Sequence, residues 1–386
     1  MGNPNKQTIE YLKGLTKLVI HATKSTTDLV EAMHSTIERG HLPLGESRAT
    51  STSGITGLVY KSIRGGAQLV GTSLDYAMQK AIPLLDDEHI PSRNKDIFLS
   101  VINGVYGDRL SLTNNELALR MTFIHQQQAV DTQLVSPIKS PSDKILLFIH
   151  GLCMSHHSWE SDKQNLSKNM AEKLGFTPIY LHYNTGRAIA DNGHELAEKI
   201  EQLVASWPVN VSNITIVGHS MGGLVARSAR YYSEQDSFRW IQLNKKLISI
   251  GTPHSGAPLE KFAAMLESLM QRSPYAVPFV RLTKIRSKGI ENLRHGEITA
   301  IADKFVPLPI GIEYFAIAAI LSKKENFSAE TIVGDGLVTP SSAFGQHKDP
   351  ARTLAIPDAN KSLKYELGHN EMLWDIGVYQ QLEKWL

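Results

Sequence analysis

Residues 211–227 read VSNITIVGHSMGGLVAR, in which a β-branched apolar run from Ile214 to Val217 stops at Gly218. A helical pattern begins at once with Met221, so the sequence predicts a strand, a sharp turn at Ser220 and a helix. Glycine on both sides of the serine suits such a turn, because strand and helix approach so closely that Cβ atoms would collide. Ser220 would then stand at the carboxyl edge of a sheet, where the amino terminus of the helix faces any negative charge that develops. We interpret it as a nucleophile; the alternative is a turn serine that only caps a helix.

Strands and helices alternate around this turn. Continuous apolar runs predict strands at residues 144–149, 177–183, 214–217 and 247–250, and helical patterns lie between them at residues 159–174, 192–207 and 221–232. This alternation predicts an α/β fold with a mostly parallel central sheet and helices on both faces. Ligands of such sheets bind at the carboxyl ends of the strands. His150-Gly151, Ser220 and Gly251-Thr252-Pro253 all follow strand ends.

The flanking regions carry weaker signals. Before the alternating region we expect a short helix at residues 96–103, a turn at 104–109 and an edge strand over 117–123. After it we expect strands at residues 312–321 and 353–356, loops at 333–338 and 368–370, and a closing helix over 372–386.

The first 90 residues show two apolar stripes at helical spacing and are expected to form a helical hairpin. Small residues in the second stripe would let the two helices approach closely. A docking or homodimerisation segment is one interpretation, and a peripheral membrane contact is the other, since lysines flank the apolar face. The catalytic domain would then span residues 91–386.

An insertion at about residues 255–309 breaks the strand and helix alternation. Apolar residues at helical spacing predict a lid over an apolar acyl pocket, with an ordinary core-packing segment as the alternative. The candidate substrate contacts are Phe262, Met265, Leu266 and Leu269.

A serine hydroxyl needs an imidazole as base and a carboxylate that holds the tautomer of that imidazole. Asp335 and His369 together satisfy the chain order, the position after a strand and the neighbouring glycine. The rival acids are Asp303, Asp349 and Asp358, and the rival bases are His295 and His347. For the oxyanion we expect two backbone donors, the amides of Met221 and Leu152.

The composition excludes several other classes of function. The chain has 386 residues, 42% of them hydrophobic, and a formal net charge of +2, so nothing global indicates a nucleic-acid partner. We expect no metal and no cofactor, because neither a clustered ligand set nor a phosphate-binding glycine loop is recognised. The single cysteine, Cys153, is expected to be a buried thiol. Without a signal-peptide core, a cytoplasmic location is expected, with contact to the inner membrane face as an option.

Five segments, HGL from His150, GHSMGGLVAR around Ser220, IGTPHSGAP from Ile250, GDGLV around Asp335 and GHNEML around His369, resemble bacterial lipases and esterases of the α/β-hydrolase superfamily. The similarity is closest to the group that includes the GPI-inositol-deacylase-like proteins, and it covers residues 140–386. It implies hydrolysis of an acylglycerol, phospholipid or similar acyl ester through an acyl-enzyme. The alternatives that stay open are an acyltransferase with the same triad and a catalytically inactive binding or scaffold protein.

Overall fold

A sheet of eight strands organises the computed structural model, which describes residues 92–130, 138, 140–160, 165–258, 287–323 and 334–386. The strands are β1 (Thr122–His125), β2 (Gln128–Val130), β3 (Lys144–Ile149), β4 (Thr177–His182), β5 (Asn213–His219), β6 (Asn244–Ile250), β7 (Glu313–Ile320) and β8 (Lys361–Tyr365). The helices are α1 (Ser92–Leu112), α2 (Leu166–Lys173), α3 (Ile189–Ser206), α4 (Met221–Gln235), α5 (Lys288–His295), α6 (Pro340–Ala343) and α7 (Ile376–Trp385).

The spatial order of the strands is β2-β1-β4-β3-β5-β6-β7-β8. Strand β1 pairs antiparallel with β2 and β4, and all other pairs are parallel. The run β4-β3-β5-β6-β7-β8, in which every neighbouring pair is parallel, has the strand order of the α/β-hydrolase fold, so the predicted fold class is confirmed. The first two strands are exchanged: β1 pairs with β4, and β2 lies at the edge.

Both faces of the sheet are covered, which explains why β3 and β4 are continuous apolar runs. On β3, Leu147 packs in the core cluster that includes side chains of α1, α3 and α4, whereas Leu146 and Phe148 pack in the second cluster with α2 and α7. The alternation of side chains along one strand therefore supplies two separate cores.

Strand register brings three chain segments to the same edge. Ile149 at the end of β3 lies opposite Gly218 of β5, and His219 lies opposite Ile250 at the end of β6. The residues that follow these strands, Gly151, Ser220 and Gly251, consequently lie next to one another, as the sequence predicts.

Three local predictions were wrong. The edge strand expected over residues 117–123 begins only at Thr122, and as β1 it lies between β2 and β4 rather than at the edge. The turn expected at residues 104–109 lies inside α1 (Ser92–Leu112), because its glycines serve close packing: a Cβ on Gly104 would lie 2.1 Å from the sulfur of Cys153, and one on Gly107 would lie 1.8 Å from Asn184 Oδ1. The strand expected at 353–356 is irregular chain whose Leu354 and Ile356 are buried, and the last strand is β8 instead.

The predicted amino-terminal hairpin, residues 1–90, lies outside the described residues and stays a prediction. The same holds for the four candidate lid contacts Phe262, Met265, Leu266 and Leu269. The described part of that insertion packs into the body of the domain: Ile290 and Leu293 of α5 are buried, and Ser287 donates a hydrogen bond to the carbonyl of Gly104. None of the helices in the described ranges has the length and apolar character that crossing a bilayer requires.

Candidate active site

Ser220 occupies the bend between β5 and α4 with φ 53° and ψ −124°, a backbone conformation that residues other than glycine rarely adopt. The glycines around it have the close contacts that the sequence predicts. A Cβ on Gly218 would lie 2.5 Å from the amide nitrogen of Gly223, and one on Gly222 would lie 2.2 Å from the carbonyl oxygen of Ile149. The amide of Ser220 donates to the carbonyl of Ile250 at 2.8 Å, which fixes the bend to the end of β6.

His369 and Asp335 are brought together from two loops that follow β8 and β7. The distance from His369 Nδ1 to Asp335 Oδ2 is 2.7 Å, and the amide of His369 also donates to the carbonyl of Asp335 at 2.9 Å. Both side chains are buried. An ionised carboxylate can only accept a hydrogen bond, so Nδ1 carries the proton. In the neutral ring, Nε2 therefore carries a free lone pair.

The carboxylate of Asp335 is held ionised. Burial alone would raise its pKa, but the neighbouring His369 and the amides of Leu337 and Val338, which donate to Oδ1 at 2.9 and 2.8 Å, lower the pKa below its ordinary value.

The Nε2 atom of His369 is buried and has no hydrogen-bond partner among the described residues. The ring lies at the same sheet edge as Ser220, because a Cβ on Gly251, the residue after Ile250, would lie 3.2 Å from His369 Nδ1. The free imidazole nitrogen thus belongs to the edge where the serine stands.

The loop after β3 passes directly beside Ser220. A Cβ on Gly151 would lie 2.9 Å from the Cβ of Ser220, so the chain at Leu152 runs close to the start of α4 at Met221. Tyr183 fixes this loop by donating to the carbonyl of His150 at 2.8 Å. Leu152 thus directly follows a glycine that packs against Ser220, and Met221 directly follows Ser220 itself.

Cys153 is a buried thiol, as predicted. Its amide donates to Thr185 Oγ1 at 3.1 Å, and burial raises the pKa of the thiol far above its ordinary value. A thiolate nucleophile is accordingly disfavoured at this position.

The rival residues lie elsewhere. Asp303 pairs with Arg352, Asp358 pairs with Lys361, and Asp349 caps a short 3-10 turn. The rival bases His295 and His347 line a different cavity, and Asp303 and Arg352 also line it. None of these five candidates is hydrogen-bonded to the Asp335–His369 pair.

His254, within the GTPHSG segment, is structural. Its Nε2 lies 3.1 Å from the hydroxyl of Tyr314 and 3.3 Å from that of Ser249, and its Nδ1 lies 3.3 Å from Arg227. These contacts connect α4, β6 and β7 beneath the edge.

No sequence pattern predicted a role for His219, yet this residue contacts the candidate base. Its Nε2 lies 3.0 Å from the carbonyl oxygen of His369, and the two rings are 4.8 Å apart. Burial lowers the pKa of His219 to about 3, so the ring is neutral and donates this hydrogen bond through Nε2–H. The position directly before the serine was the available signal, but position alone does not predict the contact.

The chain is similar to several solved structures. The mature lipase BlEst2 of Bacillus licheniformis is 20% identical over 64% of this chain and 96% of that chain, with a TM-score of 0.44. The esterase Pf2001 of Pyrococcus furiosus is 15% identical over 63% of this chain and 78% of that chain, with a TM-score of 0.38. Phospholipase PlaB of Legionella pneumophila is 13% identical over 52% of this chain and 45% of that chain, with a TM-score of 0.37.

No curated protein matches the chain by sequence. Residues 140–333 match the family described as the PGAP1-like alpha/beta domain, and this region contains Ser220 with its flanking strand and helix. Since the match spans half of the 386 residues, the chain belongs to the PGAP1-like alpha/beta domain family.

Proposed function

We propose that the protein is a serine hydrolase that cleaves carboxylic esters of apolar acyl chains through an acyl-enzyme on Ser220. The observation that carries the proposal is the buried pair of His369 and Asp335, whose unpartnered Nε2 lies at the strand edge that holds the strained serine. A free imidazole lone pair at the same strand edge as a serine is the arrangement that general-base activation of a hydroxyl needs.

In the first half of the reaction, His369 Nε2 takes the proton of Ser220 Oγ as this oxygen attacks the ester carbonyl. Asp335 keeps the proton on Nδ1 and stabilises the imidazolium that forms. The amides of Leu152 and Met221 donate to the developing oxyanion, a contribution of roughly a hundredfold to a thousandfold in rate per donor. His369 then protonates the departing alcohol, leaving the acyl group on Ser220.

In the second half, the same imidazole removes a proton from water as the water oxygen attacks the acyl carbon, and it returns this proton to Ser220 Oγ as the acyl–serine bond breaks and the carboxylic acid leaves. The buried, largely apolar surroundings of the serine, with Leu152 and Met221 beside it, favour an apolar acyl group over a charged one. An alcohol in place of water would make the protein an acyltransferase.

Hydrolysis of p-nitrophenyl esters of increasing acyl length tests the proposal, together with labelling by a fluorophosphonate probe. Ser220→Ala should abolish labelling and lower kcat by a factor on the order of 10⁴ or more. Ser212→Ala, directly before the opposite end of β5, is the matched control. It should keep both the labelling and the activity. Equal activity in wild type and Ser220→Ala would reject this nucleophile, and ester products formed with added alcohols would favour the acyltransferase.

A further inference from the structure

Three side chains of types that bind metals lie together where the loop that follows β3 contacts α1. Asp96 comes from α1, and His156 and His157 come from the 3-10 turn His156–Trp159. One ligand atom from each of the three residues lies within 4.8 Å of those of the other two. The distance from His157 Nε2 to Asp96 Oδ2 is 3.1 Å, and the two imidazole rings are 3.9 Å apart.

Two further side chains face the cluster. His182, the last residue of β4, has its Nδ1 3.4 Å from the Nδ1 of His156, so two imidazole nitrogens point at each other. Glu160 Oε2 lies 3.5 Å from His157 Nδ1, a buried atom without a hydrogen-bond partner among the described residues. His157 thus lies between two carboxylates, and His156 faces a third imidazole.

The surroundings favour a cation. The carboxylates of Asp96 and Glu160 flank the histidines on both sides, and His157 is only 8% exposed. His156 and Glu160 also line a cavity of about 30 Å³, which is larger than the roughly 10–15 Å³ that one water molecule needs. A water molecule in this cavity would lie next to His156.

We propose that Asp96, His156 and His157 bind one Zn²⁺ ion, with the fourth position taken by His182 or by a water molecule in the cavity. Zinc accepts imidazole nitrogens and carboxylate oxygens at about 2.0–2.2 Å, so neighbouring ligand atoms of a tetrahedral site lie roughly 3.3–3.5 Å apart. The separations of 3.1 Å between Asp96 and His157 and 3.4 Å between His156 and His182 are near this value. Ligand atoms at the upper separation of 4.8 Å would approach one another by about 1.4 Å to complete the coordination.

Such an ion would have a structural role. It would connect α1 to the loop that carries Leu152, whose amide is one of the expected oxyanion donors. It would also reinforce the contact in which Gly104 of α1 packs against Cys153 of the same loop. The zinc site is independent of the proposed acyl transfer, since neither Ser220 nor His369 contributes a ligand.

Direct metal binding tests the proposal. The full chain is treated with a chelator, dialysed and titrated with ZnCl₂ in competition with a chromophoric chelator, and its metal content is measured by mass spectrometry. We expect one tightly bound Zn²⁺ per chain, affinity lower by at least about tenfold in Asp96→Asn and His157→Asn, and a rise in Tm with Zn²⁺ in the wild type that both variants lose.

His194→Asn is the matched control, because His194 also lies beside two carboxylates, Glu198 and Asp236, but has an exposed side chain. It should bind Zn²⁺ as the wild type does. Wild-type protein titrated with Co²⁺ should develop the intense visible absorption of a tetrahedral site, and this readout does not depend on the folding of any variant. Absence of stoichiometric Zn²⁺ binding, absence of this absorption, or unchanged affinity in folded Asp96→Asn and His157→Asn would overturn the proposal.

Discussion

The ring of His219 donates a hydrogen bond to the backbone carbonyl of His369 at 3.0 Å, although the two residues are 150 positions apart. The strand that ends at the serine therefore also holds the loop of the candidate base. Because the carbonyl belongs to the same residue as the imidazole, displacement of this backbone would displace Nε2 relative to Ser220.

We predict that His219→Phe lowers kcat for ester hydrolysis by roughly tenfold to a hundredfold with little change in KM, since a displacement near 1 Å of a catalytic group has effects of this size. Phenylalanine keeps the ring but removes the donor. Steady-state kinetics measure kcat and KM separately for wild type and variant. His194→Phe, at an exposed position, is the control. A change confined to KM would contradict the positioning role.

Asp335→Asn should lower kcat by a factor on the order of 10⁴, because an amide favours the wrong tautomer of His369. Asp349→Asn, at an exposed rival acid, should leave the rate unchanged. Comparable losses in both variants would argue against Asp335 as the partner of the base.

The same carboxylate predicts a pH dependence of stability. Its pKa in the folded protein lies below the ordinary 3.8, so its contribution is fully present above that pH and is lost as the pH falls through the lower folded value. The difference in unfolding free energy between wild type and Asp335→Asn should therefore shrink below about pH 4. Urea unfolding at pH 3 and pH 6 measures it, and a difference that grows on acidification would have the wrong sign.

Ser220→Gly should be more stable than Ser220→Ala by about 1–3 kcal/mol. Alanine keeps the strain of a positive φ of 53°, whereas glycine adopts this conformation readily. Both variants lack the hydroxyl, so they are compared by urea unfolding rather than by rate. Equal stabilities would show that the surrounding contacts, and not the backbone, set the energy of this bend.

Two buried histidines should make the fold sensitive to mild acid. Burial lowers the pKa of His219 to about 3 and that of His254 well below the ordinary 6.5. Below pH 6.5 the unfolded chain takes up protons that the folded protein does not, so each of these histidines lowers the unfolding free energy by up to about 1.4 kcal/mol per pH unit. Urea unfolding at pH 7.5 and 5.5 tests this, and His219→Phe should show a shallower loss.

Sequence patterns were sufficient to predict those elements and residues whose burial or steric constraints are set by their neighbours in the chain. Strands such as β3 are buried on both faces and therefore read as apolar runs, and the glycines around Ser220 have no steric alternative. The pairing of Asp335 with His369 followed from chain order and strand ends.

Long-range contacts were not readable in the same way. Strand β8, with sequence KSLKY, is partly exposed along its whole length, so its apolar signal is weak. The glycines of α1 resemble turn residues until their contacts with Cys153 and Asn184 are known. The cluster joins Asp96 to His156 and His157, which lie 60 and 61 positions further along the chain, and nothing local marks Asp96 as their neighbour.

His369 and Asp335 are joined twice, by the side-chain hydrogen bond and by the bond from the amide of His369 to the carbonyl of Asp335. The loop of the acid and the loop of the base are therefore coupled by two bonds, whereas the hydrogen bond from His219 to His369 is a single link to β5. Thermal motion would break this single link before it separates the doubly joined pair, and the distance from the pair to Ser220 would then vary. Warming should thus reduce the population of reactive geometries before it disrupts the proton-holding pair.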